Sequence, residues 1–384
     1  MQDLITLFKV YMSSTALSKS SEVLQSGYIS QGPEVDNFEK NLSKFFDNPN
    51  IITTNSATSA IHLVFHMLKN KQTNSTYEQI NPGDHVLTTP LTCTATNWPI
   101  LANGIDLKWV DVDKKTCNMN LDDLETKLTE KTKVVLIVHW GGTPIDLNRL
   151  KSIQDNFEKK YGFRFTVIED CAHSFGSYYD NKLIGNHGNI CIFSFQAIKH
   201  LTSVDGGCII FPNKVETERA RLLRWYGIDR TDKRKDFRCE ENINEYGFKF
   251  HMNDVNASIG NENLSVVNDE VISKHKKNYN FYYEELNNVE KLELLSRDPL
   301  SDSASWIFTL KVQEKDNFMK KMLSLNIQTS RVHERNDHHT TVQQYRTDLP
   351  ELDSFNDEIV CIPVGWWVDE EKANYIVDSI KSGW

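Results

Sequence analysis

The sequence predicts an α/β protein whose large domain holds a mainly parallel sheet. Short apolar, β-branched runs at 51–54, 85–89, 107–110, 134–138, 165–170 and 190–195 alternate with stretches whose apolar residues recur at helical spacing. Strands separated by helices build a mainly parallel sheet covered on both faces, which receives ligands at the carboxyl ends of its strands. Near residue 255 the composition changes to long amphipathic helices. The 384 residues thereby divide into a segment 1–20, a large domain 21–254 and a small domain 255–384.

Composition narrows the class further. Hydrophobic residues make up 39% and charged residues 25%, ordinary values for a globular chain. No apolar run reaches membrane-spanning length. The amino terminus, MQDLITLFKVYMSS, lacks the basic start and unbroken apolar core of a secretory signal, so the cytoplasm is the expected compartment. The formal charge of −10 argues against a general nucleic-acid binder. Seven cysteines without a CxxC pair read as reduced thiols.

The turn-rich passage Ser26-Gly-Tyr28-Ile-Ser-Gln31-Gly32-Pro33 precedes a helix patterned by Val35, Phe38, Leu42 and Phe45. The strand at 51–54 leads through Asn55-Ser56-Ala57-Thr58-Ser59 into a helix with Ile61, Val64, Phe65 and Leu68 on one face. Small residues feeding a helix amino terminus offer unpaired N–H groups and the positive end of the helix dipole to an anion such as a phosphate. His62 and His66 lie four apart on this helix, but leucine at 63 replaces the glutamate of HExxH, so no metal site is expected. Asn81-Pro82-Gly83-Asp84 turns the chain into the next strand, and Thr92-Cys93-Thr94-Ala95-Thr96-Asn97 follows it. After the strand at 134–138, His139-Trp140-Gly141-Gly142 occupies a loop within reach of a ligand, and Leu147, Leu150, Ile153 and Phe157 mark the buried side of a helix. No GxGxxG follows the first strand, so a nicotinamide-binding reading has no support.

The strand at 165–170 breaks into acid at its end and leaves Asp170 there, while the strand at 190–195 runs on to Lys199 and the turn Asp205-Gly206-Gly207. Lys199 is flanked by Ile198 and Leu201, and a lysine among apolar groups loses ammonium solvation and becomes a better nucleophile. A lysine for a Schiff base, a carboxylate for a pyridinium nitrogen and donors for a phosphate are the set that pyridoxal phosphate requires.

The elements Glu169-Asp170-Cys-Ala172-His173-Ser-Phe-Gly176, Phe193-Ser194-Phe195, Lys199 and Gly206-Gly207 stand in a fixed order. Together they resemble the EDxAxxxG, FSF, lysine and GG series of the DegT/DnrJ/EryC1/StrS family of sugar aminotransferases. The resemblance implies an aspartate-aminotransferase-like fold (fold type I for pyridoxal phosphate), with a smaller C-terminal α+β domain. It implies Lys199 and Asp170 as the catalytic pair, with Lys199 moving a proton as base and acid and Asp170 keeping the ring nitrogen protonated. Ala57-Thr58 stands for the family's Gly-Thr phosphate pair, Ser194 for its second phosphate hydroxyl, and His173 for a residue near the cofactor's phenolic oxygen or a structural histidine. Cys93 stands where the family has an aromatic on the ring, which leaves either Cys93 or Trp98 for that place. In Glu245-Tyr-Gly247-Phe248-Lys249-Phe250-His251, similar to the family's GYNYRM, Lys249 replaces an asparagine that reaches the cofactor phosphate of the other subunit. That implies a homodimer with shared sites.

Tyr28, Gln31 and His200 are expected substrate contacts. Arg331 and His333 lie in a basic loop that meets a substrate carboxylate or pyrophosphate, or is simply solvated. The implied reaction is ping-pong transfer of an amino group from L-glutamate to a nucleotide-linked 4-keto-6-deoxyhexose, carried by dTDP or GDP. The alternatives are a 3-aminotransferase, a 3-dehydratase, or a non-catalytic cofactor-binding regulator. The dehydratase branch has histidine at the Schiff-base position, and a non-catalytic protein would be expected to lose Lys199 or Asp170.

Overall fold

The computed structural model describes residues 3–230 and 242–384. The apolar runs become Ile51–Thr54 (β1), His85–Thr88 (β2), Asp106–Trp109 (β3), Thr132–Val138 (β4) and Thr166–Asp170 (β5). The short strands Tyr178–Tyr179 (β6) and Lys182–Leu183 (β7) come next, then Ile190–Ser194 (β8) and Gly207–Ile210 (β9). Seven of these form one sheet in the order β1-β9-β8-β5-β4-β2-β3. Its pairings are parallel except those of β9, which runs against both β8 and β1.

Helices cover both faces, as a near-continuous apolar strand requires. Alternate residues of β4 show it: Val134 and Leu136 join one apolar cluster, Val135 and Ile137 the other. Each such fully buried side chain contributes about 1.5–3 kcal/mol. The first cluster holds Thr94–Ala102, which carries Pro99 within it, and Ala57–Lys69, and the second is closed by Pro33–Phe46 and Leu147–Tyr161. Helix starts carry side-chain caps where the sequence supplies them: Ser56 accepts from the Ser59 amide, Asp146 from Arg149 and Asn213 from Glu216.

Beyond residue 254 the helix Asp254–Leu264 packs on Ala16–Ser26 and Pro33–Phe46. The amphipathic helical run that follows residue 255 is divided by a π-helical turn at Asn268–Ile272 before Ser273–Glu285. Leu292–Leu294 (β10), Ser301–Asp302 (β11), Phe308–Val312 (β12) and Ile359–Ile362 (β13) follow. Strands β10, β12 and β13 make an antiparallel sheet, while β11 adds to the β6–β7 hairpin. A third apolar cluster, with Tyr282, Phe308, Leu310, Phe318 and Ile376, lies beneath the antiparallel sheet and includes Ile5 from the other end of the chain. The apolar run Trp306-Ile-Phe-Thr-Leu310 becomes a strand only from Phe308. Ser305, with φ 60°, turns the chain so that Trp306 faces the end of the large sheet. No described helix is long and apolar enough to cross a membrane.

Candidate active site

The carboxyl ends of β5 and β8 meet the amino end of β9 on one rim of the sheet. Asp170 closes β5 and is buried there. Its Oδ2 accepts from Thr96 Oγ1 at 2.7 Å and its Oδ1 from the Ala172 amide at 3.0 Å. Because Thr96 donates to the carboxylate, it takes the Thr92 hydroxyl as its own donor, at 2.8 Å. Beneath Asp170, Glu169 receives His139 Nε2 at 2.8 Å and Asn189 at 2.6 Å, while His139 Nδ1 accepts the Ile145 amide. Burial pushes the Glu169 carboxyl up, but the hydrogen bond and charge of His139, together with the Asn189 hydrogen bond, outweigh it and hold the group below its ordinary range. His139, expected in a ligand loop, is therefore a fully buried tie between two strand ends. The ligand atoms of His139, Glu169 and Cys171 lie within 4.8 Å of one another; the first two bond each other, and the Cys171 thiol donates to the Glu169 carbonyl at 3.5 Å.

Lys199 follows β8 in a turn closed by its amide on the Gln196 carbonyl. Its ammonium sits 3.7 Å from the centre of the Trp306 ring, whose Nε1 donates to the Ile198 carbonyl at 2.9 Å. Burial lowers the Lys199 pKa to about 8, against the opposing pull of the Asp170 and Cys93 charges. His173 lies flat on Trp306, with centroids 3.9 Å apart and planes at 18°. Burial, and then the Lys199 charge, keep its imidazole neutral, and its Nδ1 has no hydrogen-bond partner among the described residues. Cys93, exposed, precedes Thr94–Ala102 without a side-chain bond to its first turn, and Trp98 stands edge-on to His339. The aromatic ring at the lysine is thus that of Trp306.

Across the rim, Thr54, Gly207 and Ser194 pair in one row of register. A Cβ on Gly207 would stand 2.6 Å from the Ala57 amide nitrogen, so only glycine lets β9 pass this close to the start of Ala57–Lys69. The first-turn amides of Ala57 and Thr58, which have no acceptor within their helix, and the Ser194 hydroxyl share this corner. Lys249 is exposed, its carbonyl receives Asn55 Nδ2 at 3.3 Å, and no ion pair of its ammonium occurs among the described residues.

Among the other expected contacts, His333 packs on His173 and Trp306, and the rest are placed differently. Tyr28, 82% exposed, and Gln31 line a cleft of about 650 Å³ with Lys19, Arg230 and Asp254, and the lining includes no residue of the lysine site. His200 directs Nε2 to the Ala304 carbonyl at 3.0 Å and packs on His275, so its ring braces the Trp306 turn in place of the expected substrate contact. Arg331 pairs with Glu334 at 3.1 Å, and Arg335 is buried between Asp337 and Asp353. Burial lowers the His333 pKa to about 3, so the loop expected to be basic is largely neutralised.

A model of the DegT/DnrJ/EryC1/StrS aminotransferase family matches residues 11–381. The chain belongs to this family. AtS13 from Actinomadura melliaura has a TM-score of 0.94 to it, with 44% identity and 100% of both chains covered. The sugar aminotransferase CalS13 from Micromonospora echinospora has a TM-score of 0.93, with 40% identity over 99% of this chain and 100% of that one. An uncharacterized protein of Methanocaldococcus jannaschii is 31% identical over 290 residues, covering 74% of this chain and 70% of its own.

As a DegT/DnrJ/EryC1/StrS aminotransferase, the chain is an enzyme whose cofactor is pyridoxal phosphate. The residues present fit that group. Asp170 is a carboxylate fixed by two donors, Lys199 is an amine held close to neutrality, and the corner at Gly207 is a backbone cradle that a Cβ would fill. Sequence reasoning missed Thr96 and Trp306. Thr96 lay within the Thr92–Asn97 stretch without an assigned part, and Trp306, 107 positions beyond Lys199 by numbering, carried no local signal.

Proposed function

We propose that this enzyme moves the amino group of L-glutamate to C4 of a nucleotide-linked 4-keto-6-deoxyhexose, in two half-reactions that alternate at one site. The observation that carries the reading is Lys199, an amine depressed to about 8 beside Asp170 in a chain that matches the aminotransferase family almost end to end. The match to CalS13 supports a sugar as acceptor, and the stretches Thr92 to Asn97 and Lys249 to His251, which resemble most the branch of the family that aminates C4, support that position.

When bound, pyridoxal phosphate supplies an electron sink for the charge left when a proton departs from the donor's α-carbon. Lys199, uncharged in a useful fraction near neutral pH, accepts that proton and returns it as a general acid. Asp170, negative and held by Thr96 and the Ala172 amide, keeps a proton on the pyridine nitrogen. Ala57, Thr58 and Ser194 would hold the phosphate, and His173 would serve the phenolic oxygen. Trp306 and Trp140, both buried, wall the lysine from water on the side of the small domain 255–384. Lys249 reaches the phosphate of a second copy, so each site of the homodimer is completed by its partner. Lysine at 199 disfavours the dehydratase reading, and retention of Lys199 and Asp170 disfavours a non-catalytic one.

The test is the absorbance spectrum of the cofactor-loaded protein before and after L-glutamate, beside Lys199→Ala. Conversion of the visible band by glutamate in the wild type, and loss of the lysine-bound band in the variant, is expected. An unchanged wild-type spectrum would refute glutamate as donor.

A further inference from the structure

His333 enters the site from the loop after Ser330, which exchanges hydrogen bonds with Cys361 of β13 at 2.7 and 3.2 Å. Two features of this loop run against the ordinary preferences of a folded chain. Val332 has φ 69°, a left-handed conformation that a β-branched residue rarely adopts. The His333 amide donates to the Arg331 carbonyl at 2.9 Å across it, which makes a γ-turn with positive φ at its centre, a rare and strained form. The Ser330 hydroxyl accepts the Val332 amide at 3.0 Å and holds the turn in place. Strain of this kind persists only where surrounding contacts over-determine it, and it concentrates at functional sites.

The turn aims the imidazole into the aromatic wall of the lysine site. The His333 ring lies parallel to His173, with centroids 5.5 Å apart and planes at 4°, and near-parallel to Trp306 at 6.4 Å. The edge of Trp140 closes it from the side at 5.9 Å. Both imidazoles lie along Trp306, the ring whose face the Lys199 ammonium meets at 3.7 Å. Nevertheless, His333 Nε2 is buried without a hydrogen-bond partner among the described residues. A buried polar atom left unpaired is costly, and in an active site it marks a place where a ligand supplies the partner.

We propose that His333 recognises the amino-accepting sugar, through a hydrogen bond between its Nε2 and a hydroxyl of the hexose. The proposal rests on the nucleotide-sugar reading above. A neutral imidazole nitrogen can donate to a hydroxyl or accept from it in either tautomer, whereas a carboxylate only accepts and is held more strongly by a charged donor. His333 therefore serves the acceptor half of the reaction alone, while Lys199 and Asp170 serve both halves.

The experiment separates the two halves in the cofactor-loaded enzyme by stopped-flow absorbance. The donor half is followed with L-glutamate, and the acceptor half by mixing the aminated enzyme with a dTDP-linked 4-keto-6-deoxyhexose, then with its GDP-linked counterpart. His333→Phe keeps a flat ring in the stack and removes the nitrogen, and His333→Gln restores a neutral polar group. The donor half should stay within about twofold of wild type in both, which also reports that they are folded. The second-order rate constant of the acceptor half should fall about 10- to 100-fold in His333→Phe and recover in part in His333→Gln. His333→Leu makes the same comparison if the Phe variant does not fold. Equal loss in both halves, or no loss in either, overturns the proposal. Failure of the wild type to aminate either sugar overturns the substrate reading, and this proposal with it, and is visible before any variant is measured.

Discussion

Replacing Lys199 by methionine in the cofactor-free protein removes a charge from a site that disfavours it, so the variant should be more stable than wild type near neutral pH. The lysine pKa falls from 10.5 to about 8 on folding. At about 1.4 kcal/mol per unit, that displacement represents about 3 kcal/mol by which the folded site disfavours the ammonium. The sign follows from proton binding. Between pH 8 and 10.5 the unfolded chain holds the proton and the folded chain has released it, so stability rises with pH across that window. Below pH 8 both states are protonated and the full penalty applies. Raising the pH from 7 to 9.5 should recover about 2 kcal/mol through this one group. Urea unfolding of wild type and Lys199→Met at both pH values measures the effect as a double difference, in which the other titrating groups cancel. Methionine should be the more stable at pH 7, and the gap should narrow by about 2 kcal/mol at pH 9.5. Parallel pH dependences for the two proteins would refute the claim that burial keeps this amine close to neutrality.

Three further outcomes are expected. Glu39 is buried with Arg224 and Arg221, which overcome burial and hold its carboxyl at about 2, so Glu39→Gln should cost about 3–5 kcal/mol by stranding the Arg224 charge. Urea unfolding checks this; the stabilisation should be complete above pH 4.5 and disappear as the pH falls towards 2. Gly207→Ala should weaken cofactor binding at least about tenfold, because its Cβ would press on the Ala57 amide at 2.6 Å, and equilibrium dialysis of the cofactor decides it. Lys249→Ala should loosen the cofactor about tenfold, and mixing it with Lys199→Ala chains should raise activity at limiting cofactor. No rise on mixing would mean that each chain completes its own site.

The parts of the site legible in the sequence are those whose chemistry is local to one strand end or one helix start. Asp170 closes an apolar strand, Lys199 follows one, and the small residues from Asn55 to Ser59 lead into a capped helix. The contacts that give these residues their properties come from elsewhere in the chain. Thr96 holds Asp170 across 74 positions, and Trp306 meets Lys199 only because the turn at Ser305 redirects a strand. His139 shows the same limit in reverse: its place at a strand end suggested a ligand, and packing made it a partner for Glu169.

By itself the sequence determined the alternation of strands and helices, the family and its cofactor, and the placing of a lysine and a carboxylate at two strand ends. These depend on side-chain type and on spacing along the chain. Only the tertiary structure decided the protonation of Lys199, His173 and His333, the identity of the ring beside the lysine, and the neutralisation of a loop that reads as basic. Charge state and aim depend on desolvation and on neighbours brought together from distant segments, and a linear order of residues does not contain either.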